Sequence, residues 1–228
     1  YKTDKVGLIP SILTTWFAER KEYRKLAKEK GDAGDKDGYR YYDKKQLVTK
    51  ILLNSFYGVL LLPSFRFYNK NNGEAVTVTG KSVLQYALKV SNYYYNKRLN
   101  TEKDWVVLAD TDSIFLPALP LIRLEYEGNN ENILVEKTFE IVNEVQAIIN
   151  RSFDMYAKKF HNIEPHYWEF KQELITRRAF FGEAKKRYAM WIINKNGMVV
   201  DELEIKGFDV VRSSFPKAFR KIMKEIII

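Results

Sequence analysis

The chain has no cysteine, which removes disulfide frameworks, thiolate zinc sites and cysteine nucleophiles at once. Histidine is nearly as scarce. His161 and His166 are the only two, and Pro165 interrupts the segment between them. That is poor geometry for paired ligands on one helix face, so both read as structural or surface residues and a histidine-based triad is set aside. No apolar run approaches the roughly 20 residues of a membrane span. The opening Y-K-T-D-K-V-G-L-I-P holds no apolar signal segment. The expectation is a soluble, cytoplasmic chain with no membrane partner. Its first residue is Tyr, which points to a piece of a longer polypeptide or a trimmed one.

What is present fits one large domain or two small ones: 228 residues, 46% of them hydrophobic and 14% aromatic, enough for a real core. Charge is unbalanced. Lys and Arg number 38 against 29 Asp and Glu, a net +9. An excess of that sign on a soluble chain points to a polyanion, most often nucleic acid.

Local patterns predict an α+β chain. A helix runs from Pro10 to Lys30, and a polar reversal follows at Gly31, Gly34 and Gly38. A second helix runs from about Tyr41 to Tyr57 and stops at Gly58. Pro63–Gly73 reads as irregular and basic-aromatic, and a third helix covers about Gly80–Leu99. Apolar residues at helical spacing (Ile133, Phe139, Val142, Val145, Ile149, Phe153, Tyr156) predict a long helix over 133–160. A strand is expected around Tyr167–Ile175. A hairpin of Arg187–Asn194 and Met198–Lys206 should turn at Asn196-Gly197, and a basic helix should begin at Phe215. Together these make a sheet backed by two helices, with a helical hairpin near the N-terminus.

Two constellations carry chemistry. The first is D-W-V-V-L-A-D-T-D-S-I, residues 104–114, where a β-prone run delivers Asp110 and Asp112 to a turn. Alternation along a strand would put both carboxylates on one side. Close like charges are costly unless a cation lies between them, and hard oxygen ligands suit Mg²⁺ or Mn²⁺. In isolation, D-T-D-S is commonly only an Asp/Ser turn. The second is K-I-L-L-N-S-F-Y-G, residues 50–58. Lys50, Asn54 and Tyr57 share one helical stripe, while Ile51, Leu52, Ser55, Phe56 and Val59 fall elsewhere and several can face a core. An ammonium, an amide and a phenol in one row fit a phosphorylated, aromatic ligand. Arg20 and Arg24, one turn apart, suit bidentate phosphate binding, although beside Glu19 and Glu22 they also fit a solvated face.

Lys50–Gly58 resembles motif B of family B DNA polymerases, K-x-x-x-N-S-x-Y-G, and Asp110-Thr111-Asp112-Ser113 resembles their motif C. Lys185-Lys186-Arg187-Tyr188 is similar to the K-K-R-Y element of the branch that includes tailed-bacteriophage replicases. Ile205-Lys206-Gly207 with Arg212-Ser213-Ser214 is similar to the segment where palm meets thumb, and Arg66–Gly80 is similar as well. The blocks fall in the family's order and cover nearly the whole chain. The source implied is viral, acting inside a host cell.

The resemblance implies a polymerase palm, an antiparallel sheet backed by helices, with a helical-hairpin fingers subdomain. The exonuclease domain and most of the thumb would be lacking. Residues 1–60 would be fingers, 61–207 palm and 208–228 the start of the thumb. It implies nucleotidyl transfer from a dNTP to a primer 3′-OH with two Mg²⁺ ions (Mn²⁺ as an alternative) about 3.5–4 Å apart. Asp112 and Asp110 would be metal ligands, with Glu173 a weaker contributor. Lys50, Arg20 and Arg24 would take the β/γ-phosphates, and Asn54 and Tyr57 would shape the base-pair pocket. Lys185, Lys186 and Tyr188 would contact the primer terminus, and Lys206, Arg212 and Ser213 the duplex backbone of a primer-template. Fingers closure would act as a gate.

Two departures qualify the match. Leu108-Ala109 stands where the family usually has Tyr-Gly, and the D-x-x-S-L-Y-P motif A is absent. The expected partner is therefore a second polypeptide or missing segment carrying motif A, exonuclease and thumb, and the chain alone should be inactive. A non-catalytic scaffold subunit and a Mg²⁺-dependent nuclease are the competing expectations.

Overall fold

The computed structural model describes residues 5–184, 186–211 and 216–227. Two compact units make up the chain, Tyr1–Gly80 and Lys81–Ile228, so the expected boundary at residue 60 falls inside the first.

The first unit is a helical hairpin, as the pattern predicts. α1 (Leu8–Asp32) and α2 (Lys36–Val59) are joined through aromatic contacts: Trp16 meets Phe56 edge to face at 5.8 Å, and Tyr23 stacks on Tyr42 at 6.4 Å. The reversal between them is tighter than expected. The Asp35 carboxylate accepts the Gly38 N–H at 2.8 Å and pairs with Lys30 at 3.1 Å. Those contacts, the backbone N–H first, hold its pKa below the ordinary value. With Asp35 as N-cap, α2 starts at Lys36 instead of Tyr41, and Gly38 lies in its first turn instead of breaking it.

α3 (Lys70–Leu99) likewise begins well before the expected Gly80. Asn69 accepts the Asn72 N–H at 3.0 Å at its start, and the Leu61 side chain packs where a Cβ on Gly73 would be. Asn71-Asn72-Gly73 reads as a loop by propensity, and a cap with one close side-chain contact overrides it.

The second unit has one core of helices and a hairpin. α5 (Glu131–Tyr156) contributes Val145, Ile149 and Phe153, and the later turns of α3 contribute Val83, Ala87 and Tyr95. Trp105, Ile114 and Leu116 pack on them from β1 (Leu108–Asp110), β2 (Ser113–Phe115) and the chain around them; a short α4 (Leu119–Ile122) adds Leu121. α5 passes into a π-helical turn, Ala157–His161.

The expected single sheet is two. β1 and β2 form one, and β3 (Leu174–Phe181), β4 (Tyr188–Lys195) and β5 (Met198–Lys206) form the other, antiparallel in that order. β4 is the central strand, and its run Y-A-M-W-I-I has no charge because most of its length is buried. Apart from Lys195 at the end of β4, the charged residues of this sheet lie on the outer strands, Arg177 and Arg178 on β3 and Asp201, Glu202, Glu204 and Lys206 on β5. The turn at Asn196-Gly197 matches the reading: Lys195 pairs with Met198, and both turn residues have positive φ, 52° and 84°. A final helix, α6, covers Lys217–Ile227.

The expected strand at Tyr167–Ile175 joins the sheet only from Leu174. Before that, carboxamides of α5 take the place of a neighbouring strand. Asn150 accepts the Phe170 N–H at 2.7 Å and donates to the Phe170 carbonyl at 2.9 Å, and Gln146 accepts the Gln172 N–H at 2.7 Å. α3 does the same for the segment entering β1, where Asn92 accepts the Trp105 N–H at 2.8 Å and Asn96 accepts the Lys103 N–H at 2.9 Å. Asn150→Ala leaves both Phe170 backbone groups without partners. It should cost about 1–3 kcal/mol in urea denaturation and speed hydrogen exchange at the Phe170 amide.

Candidate functional site

The β1–β2 register pairs Asp110 with Ser113, leaving Thr111 and Asp112 as a two-residue loop. The Asp112 N–H donates to the Asp110 carbonyl at 2.6 Å, and the Ser113 hydroxyl donates to the same carbonyl at 3.1 Å. Thr111 is driven to φ 57°. The strand alternation that predicts both carboxylates on one side therefore ends at Asp110. Asp110 is half-buried at the end of β1, and Asp112 is exposed at the tip.

A second apolar cluster brings the two sheets of this unit together. Leu108 and Phe115 pack on Tyr188, Met190 and Ile192, with Phe115 6.1 Å from Tyr188 and 6.3 Å from Phe181. That packing sets the Asp110 end of the hairpin beside the β3–β4 connection. Lys186 Nζ lies 3.1 Å from Asp110 Oδ1, and the Thr111 hydroxyl donates to that oxygen at 3.1 Å. The Lys186 contact, then Thr111, with Lys206 adding charge, holds the Asp110 carboxyl below the ordinary aspartate range.

Lys186 is fixed by its backbone. It has φ 64°, and Gly207, at φ 72°, approaches so closely that a Cβ there would overlap the Lys186 carbonyl oxygen. Lys206 Nζ sits 2.7 Å from Glu204 and 5.4 Å from the Tyr188 ring centroid. Glu204 first and the Tyr188 hydroxyl second raise its pKa. Tyr188 itself is buried. Asp110, Lys186, Tyr188 and Lys206 are thus gathered at one end of the three-stranded sheet. A cleft of about 450 Å³ lies beside them, whose lining includes Leu88, Asn92, Asp104 and Ala109 as well as Asp110 and Lys186.

Glu173 is not gathered there. It precedes Leu174, which pairs with Lys195, whereas Phe181 and Tyr188 pair at the opposite end of the strand. At about 3.3 Å per residue that is roughly 25 Å away. Its carbonyl accepts the Asn196 N–H at 2.6 Å. Among the described residues, no three metal-capable side chains cluster. Lys185, Arg212 and Ser213 lie outside the described residues.

In the first unit, Arg20 and Lys50 both lie between the Trp16–Phe56 and Tyr23–Tyr42 contacts of the hairpin. Lys50, Asn54 and Arg24 are exposed, and Tyr57 is half-buried. Ile51 and Leu52 are exposed too, while Phe56 turns toward α1. The Arg20 Nε is buried with no hydrogen-bond partner, and burial followed by the charge of Arg24 lowers its pKa. Among the described residues, no carboxylate pairs with Arg20, Arg24 or Lys50. A row of cations without counter-ions is what an anion site needs.

Three residues have no role of their own in the sequence reading: Thr111, Glu204 and Gly207. Of these, Gly207 had a signal, a glycine directly after a charged strand end, where close backbone approach is a standing reason for the residue. Gly207→Ala should push the Lys186 carbonyl away and release the ammonium from Asp110. A carboxyl with a depressed pKa contributes stability above its ordinary value of 3.8, and that contribution is lost as pH falls through the depressed value. The Asp110 midpoint, followed by carboxyl NMR, should therefore rise toward 3.8 in Gly207→Ala, and the acid limb of stability below that pH should flatten.

The family model described as "DNA polymerase family B" matches residues 1–228. Among curated relatives, the DNA-directed DNA polymerase of Escherichia phage RB69 is 31% identical over 195 residues, covering 80% of this chain and 22% of the relative. That of Enterobacteria phage T4 is 30% identical over 197 residues, with the same coverage. DNA polymerase 2 of Aeropyrum pernix is 27% identical over 216 residues, covering 94% of this chain and 21% of the relative. The chain therefore spans 21–22% of the length of these relatives. On the match along its whole length, the chain belongs to DNA polymerase family B.

Proposed function

We propose that this chain carries the fingers and palm of a DNA-directed DNA polymerase and catalyses, once completed, nucleotidyl transfer from a dNTP to a primer 3′-OH. Residues 1–60 serve as fingers, 61–207 as palm and 208–228 as the start of the thumb. The observation that carries the reading is the Asp110–Asp112 hairpin tip, whose Asp110 carboxylate is kept ionised beside a cation in a chain of this family.

The donor set fits Mg²⁺ or Mn²⁺ in part. Asp112 and Asp110 offer hard carboxylate oxygens, and no third acid joins them among the described residues. The remaining ligands would come from a partner polypeptide or adjoining segment with motif A. When bound, the metal pair supplies charge stabilisation to the attacking and leaving oxygens.

The chain's own residues do the rest. Lys50 and Arg20, with Arg24 beside them, take the β- and γ-phosphates, which neutralise a row of cations otherwise without acids. Asn54 and Tyr57 border the nascent base pair. Lys186 and Lys206 supply positive charge for the primer backbone, with Tyr188 and Glu204 holding Lys206 in place. In the transfer itself, the primer 3′-oxygen bonds to the α-phosphorus as the bond to the departing pyrophosphate breaks, and the hydroxyl proton leaves to solvent.

The test is a chimera in which this chain replaces the matching segment of a phage relative. Primer extension should appear in the chimera and be absent from the isolated chain. Asp112→Asn should lower the chimera's rate by at least about a hundredfold; an unchanged rate would instead favour a scaffold role. Lys50→Ala should weaken dNTP binding about ten- to a hundredfold in rapid-quench assays, the worth of a charge-assisted contact.

A further inference from the structure

Building on the reading of Asp110 and Asp112 as the cation-holding pair, we propose that the Lys186 ammonium is the resident counter-ion of Asp110, and that a divalent cation binds there only by displacing it. Two donors already occupy Asp110 Oδ1, the ammonium at 3.1 Å and the Thr111 hydroxyl at 3.1 Å. A dication brought onto that carboxylate is repelled by an ammonium in contact with it.

The structure also identifies which group moves. The Lys186 side chain is 69% exposed, so its stem can swing into water at little cost. Its backbone cannot follow, because Gly207 lies against its carbonyl. Lys206, the other nearby cation, is engaged by Glu204 at 2.7 Å and by Tyr188, and stays. Cation loading and release of Lys186 are then one event. The ammonium is released toward a phosphate as the carboxylate gains a dication. By linkage, a polyanion that captures Lys186 tightens cation binding by the same factor.

Mn²⁺ binding to the full 228-residue chain, followed by the electron paramagnetic resonance of free Mn²⁺, separates the possibilities. Lys186→Gln should bind Mn²⁺ about three- to tenfold more tightly, from the loss of one exposed ion pair and one repulsive charge. Lys186→Arg, which keeps the charge, should stay near the parent value. Lys206→Gln should gain less than Lys186→Gln, and adding Asp110→Asn should abolish the Lys186→Gln gain. No gain in Lys186→Gln, or an equal gain in Lys206→Gln, overturns the displacement. If Asp110→Asn and Asp112→Asn leave Mn²⁺ binding unaltered, it is the underlying metal assignment that fails. If they weaken binding while Lys186→Gln gains nothing, only the displacement fails.

Discussion

Backbone groups that leave regular structure must find partners, and in the second unit they find them on two helices. α3 presents Asn92 and Asn96, and α5 presents Gln146 and Asn150, each pair one turn apart and therefore on one face. The first pair fixes the chain that becomes β1, and the second fixes the chain that becomes β3. Everything proposed for the acidic tip depends on where those two strands start. The carboxamides set the strands' positions without requiring a wide continuous sheet, which explains how strands of three residues can hold a hairpin in register.

The charges of that site form two kinds of pair. Glu204 and Lys206 are mutually satisfied on one strand. Asp110 ends β1 and Lys186 lies in the β3–β4 connection, and the packing of Leu108 and Phe115 on the Tyr188 cluster brings them together. Tyr188 has an architectural part in this meeting. Its ring is buried, and it reaches the charged cluster through Lys206. In the first unit Arg20, Arg24 and Lys50 show the opposite condition: among the described residues no acid pairs with them, and the Arg20 Nε is buried and unpartnered.

Much of this was legible in the residues themselves. The Asn196-Gly197 hairpin, the long amphipathic α5 and the helical hairpin follow from turn chemistry and period. The motifs pointed to the tip and to Lys50. What the sequence hid was settled by single contacts, some local and some between distant parts of the chain. Asp35 and Asn69 begin helices where glycines and asparagines read as loops. Phe170 lies in an extended segment whose partner is a side chain. Glu173 sits in the right neighbourhood of the sequence but at the far end of its strand. Gly207 acts through a carbonyl twenty-one positions earlier in the chain, and the local signal of a glycine after a charged strand end does not name that partner.

Thr111 occupies the left-handed region at the hairpin tip. A β-branched residue in the left-handed region carries a conformational penalty of about 1–3 kcal/mol, and glycine or asparagine would sit there at less cost. The turn keeps threonine, and its hydroxyl reaches the same oxygen that Lys186 occupies. Local comfort at the tip is given up for a third voice in the protonation and orientation of one carboxylate.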